Sequence, residues 1–97
     1  MIAALVDLEL HLPAVGSLKG KRAVLKSLIA ALRNDLNVSV AEVGYQDLWQ
    51  RARLGVAVAA GSEIGARKVA QQVEKIVWRE PRVEIVSFHV DVVASEE

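Results

Sequence analysis

The chain has 97 residues, of which 53% are hydrophobic and only 4% are aromatic, so we expect one domain with an aliphatic core. Lys plus Arg and Asp plus Glu each total 12, and this zero net charge excludes whole-molecule steering toward nucleic acid or membranes. The lack of cysteine excludes disulfides and thiolate metal sites, and no apolar run approaches the roughly 20 residues that span a bilayer.

The first two predicted elements are a strand and a helix. Apolar and polar residues alternate from Ile2 to Leu12, which predicts a half-buried strand that ends at Pro13. Ser17 is a good N-cap for a helix that we expect to run to about Asn37. Its apolar positions recur at helical spacing: Leu18, Leu25, Leu28, Ile29, Leu32 and Leu36.

A predicted hairpin, a second helix and a last strand follow. Residues 38–43 predict a short strand, residues 44–47 a turn, and residues 49–60 a third strand. Ser62 caps a second helix that Pro81 ends. The last strand is predicted over about residues 83–93, with these side chains inside: Val86, Phe88, Val90 and Val92. Residues 94–97 have the composition of a tail.

This βαββαβ order predicts the fold of a single domain over residues 1–97. Each strand has one apolar side, so both helices must cover the same sheet face. Right-handed crossovers then predict an α+β, ferredoxin-like two-layer sandwich with an antiparallel sheet in the order 4-1-3-2. The opposite, open face is expected to carry Asp7, Glu9, His11, Arg51, Arg53, Ser87, His89 and Asp91.

Three segments carry a family resemblance: residues 17–25 (SLKGKRAVL), 37–42 (NVSVAE) and 45–51 (YQDLWQR). In this order and spacing the chain resembles the YlxP-like family of small bacterial proteins, which has no assigned function. The resemblance implies a ferredoxin-like architecture. It also implies genes that lie near those for transcription, translation and ribosome maturation, which suggests a link to RNA or the ribosome. It assigns no catalytic residue.

The start of the first helix is the candidate site for an anion or RNA. Lys19, Arg22, Lys26 and Arg33 lie within a sector of about 60°, a cationic strip beside unpaired backbone N–H groups. The candidate anion-binding residues are Ser17, Lys19, Lys21, Arg22, Lys26 and Arg33. Lys21 differs from the others because its helical phase is core-facing, which predicts that it snorkels past the sheet end. The alternative is the ordinary solvated face of an amphipathic helix.

The aromatic side chains suggest a protein interface. Trp49 is expected on the open sheet face and Tyr45 in the turn, which makes Tyr45, Trp49 and Arg51 the interface candidates. The alternative is that these rings shield the rim of the core. Trp78 lies off the apolar stripe of the second helix, and the sequence does not favour either role for it.

Metal binding and catalysis have weaker support. His11, His89 and the neighbouring carboxylates are ligand types, but cross-strand pairing with Arg51 and Arg53 is the simpler explanation. No cofactor and no catalytic residue is predicted. Size and fold are similar to acylphosphatase, which needs an arginine in its phosphate loop and an asparagine on the hairpin. Here Gln46 and Gln50 are the only nearby amides.

The sequence therefore predicts a cytoplasmic, non-enzymatic interaction domain that forms a homodimer and contacts RNA or a ribonucleoprotein. One alternative is a small phosphate-ester hydrolase or anion-binding enzyme that uses residues 17–22. Another is a purely structural dimer.

Overall fold

The computed structural model describes residues 1–95. The elements are β1 (Ile2–His11), α1 (Leu18–Asp35), β2 (Ser39–Gly44), β3 (Arg51–Ala60), α2 (Glu63–Trp78) and β4 (Glu84–Ala94). All pairings are antiparallel and the strand order is β2-β3-β1-β4, which is the predicted order. The predicted ferredoxin-like α+β fold is confirmed.

The core lies between one face of the sheet and the two helices. Leu8 and Leu10 of β1 and Leu54 of β3 are fully buried, as the alternation of these strands predicts. The helices contribute their own stripes, which include Leu28, Leu32, Val73 and Val77. Asp7, Glu9 and Arg53 occupy the alternate positions, so the opposite sheet face is left open.

Local caps fix where each helix begins. The Ser17 hydroxyl accepts a hydrogen bond from the Gly20 N–H at 3.0 Å, and Ser62 does the same for Gly65 at 3.1 Å. Both predicted N-caps are therefore confirmed. The first helix ends at Asp35, two residues earlier than predicted, because Leu36 already has an extended backbone.

The prediction that Val86 faces the core is wrong. Glu9 pairs with Ser87 but Leu10 pairs with Ile85, so Val86 is an extra residue that forms a β-bulge in β4. The bulge reverses the alternation, and Val86 is 54% exposed while Ile85 packs against the core. Strand β2 carries a second bulge, in which Val43 is the extra residue opposite β3.

The C-terminal end of the sheet reaches into the predicted tail. Strand β4 includes Ala94, and the Ser95 N–H donates to the Met1 carbonyl at 3.0 Å. Part of the predicted tail thus belongs to the sheet, and residues 96–97 lie outside the described residues. Within residues 1–95, neither helix combines the length and apolar character needed to cross a membrane.

Candidate nucleic-acid interface

The outer side of α1 presents the predicted cationic strip. Lys19, Arg22 and Lys26 are exposed, and within residues 1–95 none of the three forms an ion pair. Arg33 extends the strip toward the end of α1, but its Nη2 donates to the Val40 carbonyl at 3.0 Å. Three cations on this face are therefore free for a ligand, and the fourth also secures the edge strand β2.

A groove of about 520 Å³ separates this strip from β2. Arg22 and Lys26 line its helix side, Ile29 contributes apolar surface, and Glu42 lies on its strand side. The carboxylate of Glu42 is 2.9 Å from the ammonium of Lys21, so the groove's own acid is already neutralised. The groove therefore has a cationic rim and no free negative charge to repel an anion.

The structure removes Lys21 from the anion-binding candidates. Its side chain is buried, with the residue 1% exposed, and its Nζ donates to the Tyr45 carbonyl at 2.6 Å. The ion pair with Glu42 completes its environment. Helical phase correctly predicts the core-facing direction of Lys21, but the ammonium ends in an internal ion pair and not at the solvent.

Tyr45 and Arg51 belong to a network within the chain. The Tyr45 hydroxyl donates to Glu9 Oε1 at 3.2 Å, and Arg51 Nη2 donates to Glu9 Oε2 at 2.8 Å. The Arg51 guanidinium also lies over the Tyr45 ring, 5.1 Å from its centroid. These contacts order the polar end of the open face, so both residues have a role that needs no partner protein.

Trp49 lies outside the sheet, although its phase predicted a place on the open face. Strand β3 begins only at Arg51, and Trp49 sits in the β2–β3 connection, 53% exposed and beside the exposed Leu48. The neighbouring Gln50 donates from Nε2 to the carbonyls of Pro13 and Val15, both at 3.2 Å. This tie places the Trp49 segment against the β1–α1 connection, at the end of the molecule where the cationic strip begins.

Charge is segregated between the two layers despite the neutral total. The two helices contain eight Lys and Arg residues against three acids, a net charge of +5. The four strands contain two arginines against five acids, a net charge of −3. A zero net charge therefore conceals a local cationic surface, which is what attraction of a polyanion requires.

The two histidines are separated by the sheet register. Asp7 pairs with His89, whereas His11 pairs with Glu84 four residues further along β1. Nowhere in residues 1–95 do three potential metal ligands come together. Arg53 instead forms an ion pair with Asp7, and its hydrogen bonds lower the pKa of that carboxyl.

The amides that an acylphosphatase-like site would use are already engaged. Gln46 Nε2 donates to the Glu42 carbonyl at 3.2 Å, and Gln50 Nε2 donates to two carbonyls of the β1–α1 connection. Both side chains therefore support backbone geometry. Nothing in this arrangement favours phosphate-ester hydrolysis over simple binding.

The open face also carries an apolar patch that the sequence pattern does not predict. Leu5, Val43 and Val93 are each about half exposed, with alanines and a glycine beside them and the carboxylates of Asp7 and Asp91 at the border. We define the apolar patch as Ala3, Leu5, Ala41, Val43, Gly55, Ala57, Ala59 and Val93. Its signal in the sequence is that Ala3 and Leu5 share the strand phase of the polar residues Asp7 and Glu9.

Comparisons with known proteins give a family and a fold. The family described as "Protein of unknown function (DUF503)" matches residues 3–90. "Uncharacterized protein YlxP" of Bacillus subtilis (strain 168) is 44% identical over 69 residues, which cover 71% of this chain and 75% of that protein. The de novo designed protein LFR1 1, which has a ferredoxin fold, matches with a TM-score of 0.59 and 15% identity. The match covers 100% of this chain and 91% of the designed chain.

Proposed function

The chain belongs to the DUF503 family of proteins of unknown function, and from its surface we propose that it is a non-enzymatic homodimer that binds RNA or a ribonucleoprotein through α1. The observation that carries the proposal is the strip of Lys19, Arg22 and Lys26 beside a groove whose acid is neutralised. Such a surface attracts a phosphate backbone without opposing charge.

The second helix offers an internal comparison. It also exposes two cations that form no ion pair with any residue in the described range 1–95, Lys68 and Lys75, and Arg79 follows at its end. Glu74, however, lines the same surface as Lys75, Trp78 and Arg79, so an acid accompanies those cations. The α1 surface is therefore the stronger candidate for phosphate contact.

RNA is favoured among polyanions by two features. The exposed Trp49 lies at the end of the molecule where the cationic strip begins, and aromatic rings near cations suit unpaired bases. The gene neighbourhood implied by the family resemblance also points to RNA or the ribosome. The homodimer is supported by the apolar patch, since exposed apolar patches of this kind usually mark interaction surfaces.

The test is binding of a labelled fragment of bacterial ribosomal RNA, followed by fluorescence anisotropy at increasing salt. Three phosphate contacts predict that the logarithm of the binding constant falls with the logarithm of salt concentration at a slope of about −2. The triple variant Lys19→Glu, Arg22→Glu, Lys26→Glu is expected to lose at least about tenfold in affinity at low salt.

The matched control reverses three cations of the other helix: Lys68→Glu, Lys75→Glu, Arg79→Glu. It changes the net charge by the same amount and is expected to lose much less affinity. Equal losses in both variants would mean that only the overall charge matters. Failure of the parent protein to retain RNA at any salt concentration would end the proposal.

A further inference from the structure

We propose that the open sheet face stacks on the open face of a second copy of the chain, with the apolar patch at the centre of a two-fold interface. This inference rests on the homodimer of the proposed function and names the surface that forms it. It replaces the predicted interface at Tyr45, Trp49 and Arg51, two of which serve the chain internally.

The shape of the patch suits a copy of itself. Leu5, Val43 and Val93 project from a floor of alanines and a glycine, and Val43 packs closely over Gly55, where an added Cβ would lie 3.0 Å from a Val43 methyl group. A flat floor lets a second sheet approach to about 10 Å, the usual distance between packed sheets. The larger side chains of one copy can then occupy the low surface of the other.

The charges of the face also fit a second copy. Arg53 is paired with Asp7 and Arg51 with Glu9, so both arginines of the face are neutralised within the chain. Asp91, the register partner of Leu5, lies 3.7 Å from His89 on the same face, so a carboxylate borders the apolar patch. Two such faces meet without repulsion between unpaired cations. A polyanion, by contrast, is drawn to the opposite, helical layer, and the two interactions do not compete.

The size of the face is close to what a stable dimer needs. Strands β1 and β3 have ten residues each, β2 has six and β4 has eleven. At about 3.4 Å per residue and about 4.8 Å between strands, the four strands project roughly 600 Å². A stable interface buries roughly 800 Å² of accessible surface per partner, and a corrugated face has more accessible than projected area.

The experiment is the concentration-dependent mass of the chain, measured by light scattering and sedimentation. The parent is expected at twice its 10.5 kDa. Leu5→Lys places a charge at the centre of the interface and is expected to raise the dissociation constant at least about tenfold. The control is Ile64→Lys, which replaces an even more exposed apolar residue on α2 and should leave the mass unchanged.

The possible results separate the two proposals. A monomeric parent at high concentration overturns both the homodimer and this interface. A dimeric parent whose Leu5→Lys variant stays dimeric and folded by circular dichroism overturns the interface alone. If Leu5→Lys fails to fold, Val93→Lys near the end of β4 provides the same test. RNA binding is measured separately, because its site lies on the helical layer.

Discussion

The ammonium of Lys21 lies 2.6 Å from the carbonyl oxygen of Tyr45, so a buried charge on α1 holds the turn between β2 and β3. Tyr45 has a φ of 58°, a left-handed conformation that is unfavourable for a residue with a side chain. The same ammonium neutralises Glu42. One lysine thus fixes the position of the Tyr45–Gln50 connection relative to the start of the cationic strip.

Removal of this lysine is expected to destabilise the fold. Lys21→Ala leaves Glu42 without its counter-ion and creates a cavity, so the free energy of unfolding should fall by about 3 kcal/mol. The double variant Lys21→Met, Glu42→Gln keeps the volume and removes both charges, and it should recover most of that loss. Urea denaturation measures both. A Lys21→Ala protein as stable as the parent would show that the ion pair contributes nothing.

The N-cap of α1 can be separated from its charge. Ser17→Ala removes the hydrogen bond to Gly20 and should reduce the free energy of unfolding by about 1 kcal/mol without abolishing RNA binding. Ser17→Asp retains a capping oxygen but places a negative charge beside Lys19, so it should be stable and bind RNA more weakly. The two variants should therefore rank oppositely in thermal melting and in anisotropy titrations.

Acid sensitivity is expected from the turn before β4. Arg82 donates side-chain and backbone hydrogen bonds to Glu80 and lowers the pKa of Glu80 from 4.5 to about 2. Because the pKa of Glu80 is lower in the folded chain than in the unfolded chain, the ionised carboxylate stabilises the fold at pH values above 4.5. This stabilisation is lost as pH falls from 4.5 toward 2.

The Glu80→Gln variant tests this dependence. It should be less stable than the parent near neutral pH, and the difference in free energy of unfolding should shrink as pH falls through this range. Urea denaturation at pH 7, 4.5 and 2.5 gives the comparison. Because the pKa of Asp7 is also lowered, by Arg53, the variant should keep some acid sensitivity of its own. A constant difference across the range would contradict the assignment to Glu80.

The two tryptophans should report differently on RNA. Trp49 lies at the end of the molecule where the cationic strip begins, whereas Trp78 lies at the end of α2. Single-stranded RNA should quench the fluorescence of the Trp78→Phe variant, which retains Trp49, and leave that of Trp49→Phe nearly unchanged. If a base stacks on Trp49, complete removal of the aromatic ring would cost about 1–3 kcal/mol of binding free energy. Trp49→Phe retains a smaller ring, so it should weaken binding by less than this. The reverse quenching pattern would place RNA on α2.

Local pattern was sufficient to predict most of the fold. Strict alternation in β1, the serine caps at Ser17 and Ser62 and the helix-ending Pro81 each specify an element without reference to the rest of the chain. Six elements in this order leave few ways to bury their apolar sides, which is why the strand order could be predicted as well. Helical phase likewise directs Lys21 toward the core.

Features that depend on pairing between distant segments could not be predicted. Ile85 and Val86 are adjacent apolar residues, and the sequence alone does not show which of them faces the core, because the bulge is defined by the pairing of β4 with β1. The partners of Lys21 are Glu42 and Tyr45, more than 20 residues away, and only the folded sheet brings them to the helix. The apolar patch is not predicted because Leu5 shares its strand phase with Asp7 and Glu9, and the alternation therefore assigns its whole face as polar.

Both edge strands of the sheet carry an inserted valine, Val43 in β2 and Val86 in β4. Inserted residues twist an edge and interrupt its row of hydrogen-bonding groups, so a neighbouring molecule cannot extend the ladder strand by strand. Open-ended growth into filaments is thereby disfavoured on both flanks of the sheet. The proposed face-to-face pair would be closed by its two-fold symmetry, so it would leave a chain with 53% hydrophobic residues no free sheet face for further growth.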